Sequence, residues 1–392
     1  MVLTQSLTSG LTRRPIDPPT VFWGVGDRGP NIKPADAARR YGLSELAELD
    51  KFDGAKIMPW PGAGPSLARF HVEGEAVVLV DVLPLRYPNG ALLSGLPPDP
   101  ISTAESEPIF GLDGARLECV TAGADTEGIS ARPDGCFWIA EEYGPSLLLV
   151  NDMGIIEQRV VPKGTGSQYE NSPVPVHERL PAISTARKLN RGFEALAMST
   201  DGRTLFAAFQ SPLAHPDRQA HDQGTIVRIW ALDPASGELR AEFAYPLDPP
   251  ESFERDCEIG PVARNDVKVS ELAALPDGSL LVLERVTLST HIHRVRPDGA
   301  SAVPCRYVDP NHRPSLEQLG QEDAARIGLA LLNKVPVLST DEHRAICGDL
   351  EGMLVLDDGS LLLANDSDYG IEGACTQFWL ISTNLPPHAP AH

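Results

Sequence analysis

The sequence predicts an all-β fold of four-stranded antiparallel sheets repeated about an axis, on three observations. Short apolar runs are punctuated along the chain by 36 prolines and 34 glycines, as in many short strands joined by turns. An Asp-Gly turn between two apolar runs recurs, the strongest short-range signal for a hairpin. The units recur at spacings of 67, 77 and 80 residues, which leave room for two further strands between them, and radial repetition of four-stranded units is a β-propeller. The 392 residues are read as one domain, 1–392.

The clearest hairpin is DTEGISARPDGCFWIAEEYGPSL (125–147), where Glu127 and Glu142 are equidistant from Asp134-Gly135 and are expected to face each other. RGFEALAMSTDGRTLFAAFQSPL (191–213) sets Glu194 against Gln210 with a turn one residue longer. VKVSELAALPDGSLLVLERV (267–286) pairs Glu271 with Glu284, and GDLEGMLVLDDGSLLLANDSDYG (348–370) pairs Glu351 with Asp366. A degenerate first unit, LTSGLTRRPIDPPTVFWGVGDRGPN (7–31), sets Ser9 against Asp27 about Asp-Pro-Pro. The further strands are PSLLLVND and GIIEQRVV after the 125–147 unit, and GTIVRIWALD and ELRAEFAYPL after the 191–213 unit. Five repeats are visible, and the stretch from Ser9 to Glu127 holds either one blade with insertions or two. Helical spacing at 43–52 and 314–334, the latter with Ser315 as its capping residue, predicts short helical insertions that decorate the surface.

In a propeller the first strand of each blade lines the central channel, so the open ends of all the hairpins converge on one mouth. Carboxylates gathered there repel one another until protonation or a bound cation offsets them. Oxygen donors in that number suit Ca2+, with Mg2+ and Mn2+ as alternatives. The expected ligands are Glu127, Glu142, Glu194, Glu271, Glu284, Glu351 and Asp366, with Asp27, Asp125 and Asp349 in reserve. The competing reading is a structural ion network, because Arg28, Arg191, Lys268 and Arg285 neighbour the acids in sequence. Those same four bases are what an anionic substrate needs.

Composition narrows the partners. A formal net charge of −21 disfavours nucleic acid and anionic membrane surfaces. No apolar run is long enough to span a bilayer, so membrane insertion is not expected. The N-terminus lacks a signal-peptide pattern, which predicts a cytoplasmic location, or a periplasmic or secreted one if a signal has been removed. The six cysteines lack metal-type spacing and are read as buried free thiols. No GxSxG or HExxH is present, and His291 and His293 are read as exposed strand histidines.

DRGPN (27–31), DTEG with EEYGPSL (125–147), NRGFEALAMSTDGRTLFAAFQSPL (190–213), DVKVSEL with LERV (266–286) and DLEG (348–352) resemble, in order, the family described as "esterase-like activity of phytase". The resemblance implies a six-bladed propeller whose acidic mouth holds calcium ions that bind and polarise phosphate. Ser9 and Gln210 depart from an all-carboxylate ring. The function expected is a Ca2+-dependent ester hydrolase acting on small phosphomonoesters through a metal-activated water. Glu142 or Asp27 would take the proton, and Arg28, Arg191, Lys268 and Arg285 would hold the anion. The alternatives are a non-catalytic propeller binding a ligand or protein, and a carboxylic ester or lactone hydrolase with a similar metal site.

Overall fold

A computed structural model describes residues 3–99, 106–371 and 373–387. The described chain is mostly sheet, in antiparallel sheets arranged as in a propeller-like fold. The first sheet runs Gly10–Thr12, Val21–Gly26, Ser66–Glu73 and Ala76–Pro84. The second runs Thr126–Ala131, Phe137–Glu141, Ser146–Val150 and Ile156–Pro162, with Val176–Leu180 added in parallel at its edge. The third comprises Phe193–Met198, Leu205–Phe209, Ile226–Leu232 and Leu239–Pro246. The fourth comprises Lys268–Ala274, Leu280–Arg285, Thr290–Val295 and Val335–Ser339, and the fifth Leu350–Val355, Leu361–Asn365 and Phe378–Ile381.

All five expected hairpins form, and the strands expected after the 125–147 and 191–213 units follow them. Among the described residues the stretch between Ser9 and Glu127 supplies one sheet of this size, with insertions. These include a parallel pair, Lys56–Ile57 with Ile109–Phe110. A sixth such sheet, which the family resemblance implies, is not among the described residues.

Packing follows from apolar faces. Strands apolar on both sides must be covered on both sides, and apolar clusters lie between consecutive sheets. Trp23 meets Phe137 between the first and second, and Phe193, Phe209 and Trp230 pack edge-on or tilted at 4.5–5.6 Å in the core of the third. Leu283 and Ile292 join Met353 and Leu363 between the fourth and fifth. Phe22 and Phe70 meet Phe378 of the fifth sheet at 5.8 and 5.4 Å, so the fifth packs on the first. The innermost strands are close: a Cβ on Gly128 would stand 2.7 Å from the carbonyl oxygen of Glu194, so that position demands glycine.

The helical expectations are met in shorter form, as 3-10 turns at Ser44–Lys51 and Leu316–Gln318 and an α-helix at Gln321–Arg326. Pro34–Tyr41 is a further helix. Glu317 is buried and accepts two bonds from Arg228 of the third sheet, at 2.6 and 3.1 Å, which ties the 314–334 insertion to that sheet. All six cysteines are free, but Cys257, Cys305 and Cys375 are exposed and the other three only half-buried, correcting the expectation of buried thiols. No helix among the described residues is long and apolar enough to cross a membrane.

Candidate functional site

A repeated irregularity delivers the acids. In the innermost strand pair of the third sheet Phe193 pairs with Phe209 and Ala195 with Ala208, leaving Glu194 as the extra residue of a β-bulge. Glu351 occupies the same position in the fifth sheet, and Glu127-Gly128 in the second. A bulge bends the strand and re-aims its side chain, and here it also shifts the pairing beyond it. Glu142 therefore donates its N–H to Asp125 O (2.9 Å), Gln210 to Gly192 O (3.0 Å) and Asp366 to Asp349 O (3.0 Å). Glu142, Gln210 and Asp366 stand two residues out of the expected pairing with Glu127, Glu194 and Glu351. Ser9 likewise donates its N–H to Val25 O rather than lying opposite Asp27.

The fourth sheet inverts the charge. Its bulge holds Ser270, between the pairs Val269–Glu284 and Glu271–Leu283, and its outermost pair is Lys268–Arg285. The expected pair Glu271–Glu284 does not form, because a one-residue slip sends a side chain to the other face. Glu284 instead accepts from Tyr245 Oη (2.8 Å) and Lys334 Nζ (2.7 Å), against the third sheet. Glu271 is buried, accepting from the backbone N–H of Leu11 (3.1 Å) and of Leu272 (2.9 Å). Neither reaches the mouth.

The mouth is a polar cavity of about 200 Å³. It gathers nine carboxylates, from Asp27, Asp125, Glu127, Glu142, Glu194, Asp349, Glu351, Asp366 and Asp368. Five bases line it, Arg28, Lys56, Arg191, Lys268 and Arg285, together with Asn31, Asn190 and Gln210. All the expected bases and all the expected acids except Glu271 and Glu284 are therefore brought together. Lys56 and Asp368 had not been singled out. Lys56 arrives on an insertion between the strands of the first sheet, and Asp368 on a 3-10 turn, so no hairpin arithmetic points to them.

The bonds divide these groups in two. Arg28 is committed to Glu107, Asp125 and Tyr143, and Arg285 to Asp349, Glu351 and Ser270. Those two bases form the structural network that was the competing reading. Arg191 reaches Gln210. Lys56 and Lys268 have no hydrogen-bond or ion-pair partner among the described residues. Among the acids, Oε1 of Glu142 and Oε2 of Glu194 are buried without a partner. Asp125, Glu127 and Glu142 each place an oxygen within 4.8 Å of the others, an all-oxygen donor set that fits a hard divalent cation.

Burial holds the Glu127 carboxyl well above the usual range, with Asp125, Glu194 and Glu142 adding to it. Burial raises Glu142 and Asp27 in the same way, each with Asp125 as the largest like charge. Asp366 is raised by burial and then by Glu351, and Glu351 is pushed by burial up to about 7. Burial, then Arg285 and Arg191, brings Lys268 down to about 8. Backbone strain collects at the same place. Among the described residues the non-glycine residues with positive φ are Asn190, Asp349, Asp368 and Tyr369, three of which line the cavity. Such conformations cost about 1–3 kcal/mol each and cluster at functional sites.

A propeller-like arrangement of antiparallel sheets with an acidic, strained cavity defines a class of protein, and residues 5–369 match the family model Phytase-like, described as esterase-like activity of phytase. The chain belongs to that family, and its acidic groups could hold a metal ion. It is 26% identical over 300 residues, 68% of this chain, to an "Uncharacterized secreted protein" of Arthroderma benhamiae. It spans about half the length of that relative, 54%. Among solved structures it is similar to Kuenenia stuttgartiensis hydrazine synthase, at 10% identity and TM-score 0.38 over 86% of this chain and 97% of that one. A luciferin-regenerating enzyme is similar at 8% identity and TM-score 0.37 over 99% and 95%. Likeness at that level carries nothing about function.

Proposed function

We propose that this protein is a divalent-cation-dependent ester hydrolase acting on small anionic esters, phosphomonoesters first among them, at the acidic mouth. The reading takes the five sheets as the blades of a closed propeller, supported by the packing of Phe378 on Phe22 and Phe70. The observation that carries it is the coexistence of unanswered charges of both signs in one cavity. Buried carboxylate oxygens of Glu142 and Glu194 lack partners, and so do the ammonium groups of Lys56 and Lys268. A structural network would have paired them.

Asp125, Glu127 and Glu142 would hold the cation, with Ca2+ favoured by the all-oxygen donor set and Mg2+ or Mn2+ as alternatives. When bound, a divalent cation supplies Lewis acidity and makes water a better nucleophile. Lys268 and Lys56 would bind and orient the anionic group, with Arg191 beside them. Glu142, which lines the cavity with its Oε1 unpartnered, is the proton acceptor, and Asp27, held by the N–H of Gly29 (3.0 Å), stands as a second acceptor.

The ties of Arg28 and Arg285 favour a second reading, a non-catalytic propeller with a structural ion network. Chelator-treated protein assayed on phosphomonoesters and carboxylic esters, with and without Ca2+, separates the readings. Ca2+-dependent turnover of the phosphomonoester supports the first. Turnover confined to carboxylic esters or lactones shifts the substrate class, and no turnover with any ester or cation leaves the second.

A further inference from the structure

Behind the cavity wall, between the third and fourth sheets, lies a cluster of different chemistry. His291 and His293 alternate on the strand Thr290–Val295 and so share one face. Both are buried, 8% and 7% exposed, which corrects their reading as exposed strand histidines. Nδ1 of His291 and Nε2 of His293 stand 2.9 and 2.8 Å from the same oxygen, Oδ2 of Asp248, which follows the last strand of the third sheet.

Three features distinguish this from an ordinary ion pair. Nε2 of His291 faces a second carboxylate, Oδ2 of Asp341, at 3.1 Å. A neutral imidazole has one N–H, so one of its nitrogens then presents a lone pair to a carboxylate. A second proton or a cation must resolve that contact. The other oxygen of Asp341 is held by Ser289 Oγ at 2.6 Å, and the His291 ring is stacked on Phe253 at 4.5 Å, so the imidazole is fixed before anything binds. Finally, hydrogen bonding does not satisfy the pair, since Nδ1 of His293 is buried without a partner.

We propose that His291, His293 and Asp248 form a second metal site, for a borderline transition ion of the Zn2+ type, that staples the third sheet to the fourth. The three residues can each offer a ligand atom within 4.8 Å of the others. Two imidazoles and one carboxylate are donors that suit such ions rather than Ca2+. Asp341 is the outer carboxylate that orients a ligating histidine. Lys334 takes Oδ1 of Asp248 at 2.5 Å and leaves Oδ2 to the imidazoles, while Arg264 binds the Asp248 carbonyl at 2.6 Å. Asp248 is the most open of the three ligands, with 21% of its side chain exposed, so it marks the entry side.

The test uses the full chain, freed of metal by a chelator, saturated with Ca2+ to fill the mouth, and titrated with Co2+. One equivalent of Co2+ is expected, with the visible absorption of a low-coordinate site. His291→Gln and His293→Gln should each abolish it, and Asp341→Asn should weaken it about 10- to 100-fold. Absence of uptake by the wild-type protein, or uptake unaltered in both histidine variants, overturns the proposal. If those variants do not fold, nitrogen NMR of the wild-type histidines under saturating Zn2+ decides. Shifted Nδ1 of His291 and Nε2 of His293 support the site, and a His291 that stays a doubly protonated imidazolium refutes it.

Discussion

Glu142 donates its backbone N–H to the carbonyl oxygen of Asp125 at 2.9 Å, and with Glu127 in the adjoining bulge this places three carboxylates within 4.8 Å. An irregular residue near the open end of the inner hairpin thus recurs in four of the five sheets. In the second, third and fifth sheets it is acidic, and in the fourth it is Ser270 between Lys268 and Arg285. The second sheet thus brings Asp125, Glu127 and Glu142 to the cavity, and the fourth brings Lys268 and Arg285.

Glu127→Gln and Glu142→Gln should each lower Ca2+ affinity by at least about 100-fold. A unit charge about 4 Å from another contributes about 4 kcal/mol at an effective dielectric near 20, ample for that loss. Because each change removes a like charge, the cation-free melting temperature should not fall. Calorimetric Ca2+ titration and thermal melts check both, and an unchanged affinity in both variants would remove these residues from the site.

Glu271→Gln is the contrasting variant. Its carboxyl accepts from Leu11 and Leu272 backbone N–H groups and does not line the mouth, so Ca2+ affinity should stay within about twofold, as for substitutions away from a site's charges. A large loss in the same titration would place it among the ligands after all.

Lys268→Met should raise KM for a phosphomonoester by roughly 10- to 100-fold, the size of one charge-assisted hydrogen bond of about 1.5–3 kcal/mol, and leave hydrolysis of a neutral ester unchanged. Steady-state kinetics on the two substrates check it, and an equal effect on both would deny the lysine an anion-binding role.

Proton linkage gives a signed expectation. Burial raises the Glu351 carboxyl from 4.5 to about 7, so across that window the folded protein keeps a proton the unfolded chain has lost. Stability of the cation-free protein should then fall as pH rises from about 4.5 to about 7, and Ca2+ binding, which displaces protons from the raised Glu127 and Glu142 carboxyls, should tighten as pH rises. Lys268, brought down to about 8, should lose its charge and its hold on anions above that pH. Melts and Ca2+ titrations at several pH values check the first part and a pH profile of KM the second.

The hairpins were legible because Asp-Gly turns announce themselves locally, and so was the convergence of their acids. The register was not. A bulge inserts one residue without any compositional mark, which moved Glu142 from Glu127 to Asp125 and turned Glu284 away from the mouth while Arg285 faced it. Lys56 was illegible for another reason, since it reaches the cavity only through the pairing of Lys56–Ile57 with Ile109–Phe110 across more than fifty residues. That His291 and His293 lie on a strand was legible, but Asp248 and Asp341 come from distant loops, so the histidines' burial and partners could not be read.

The most direct measurement of the central claim is a calorimetric titration of the chelator-treated wild-type protein with Ca2+, paired with its melting temperature. Saturable binding that raises the melting temperature is predicted, from an acidic mouth whose buried Glu142 and Glu194 oxygens lack partners. No heat of binding and no thermal shift at saturating Ca2+, Mg2+ or Mn2+ would contradict it.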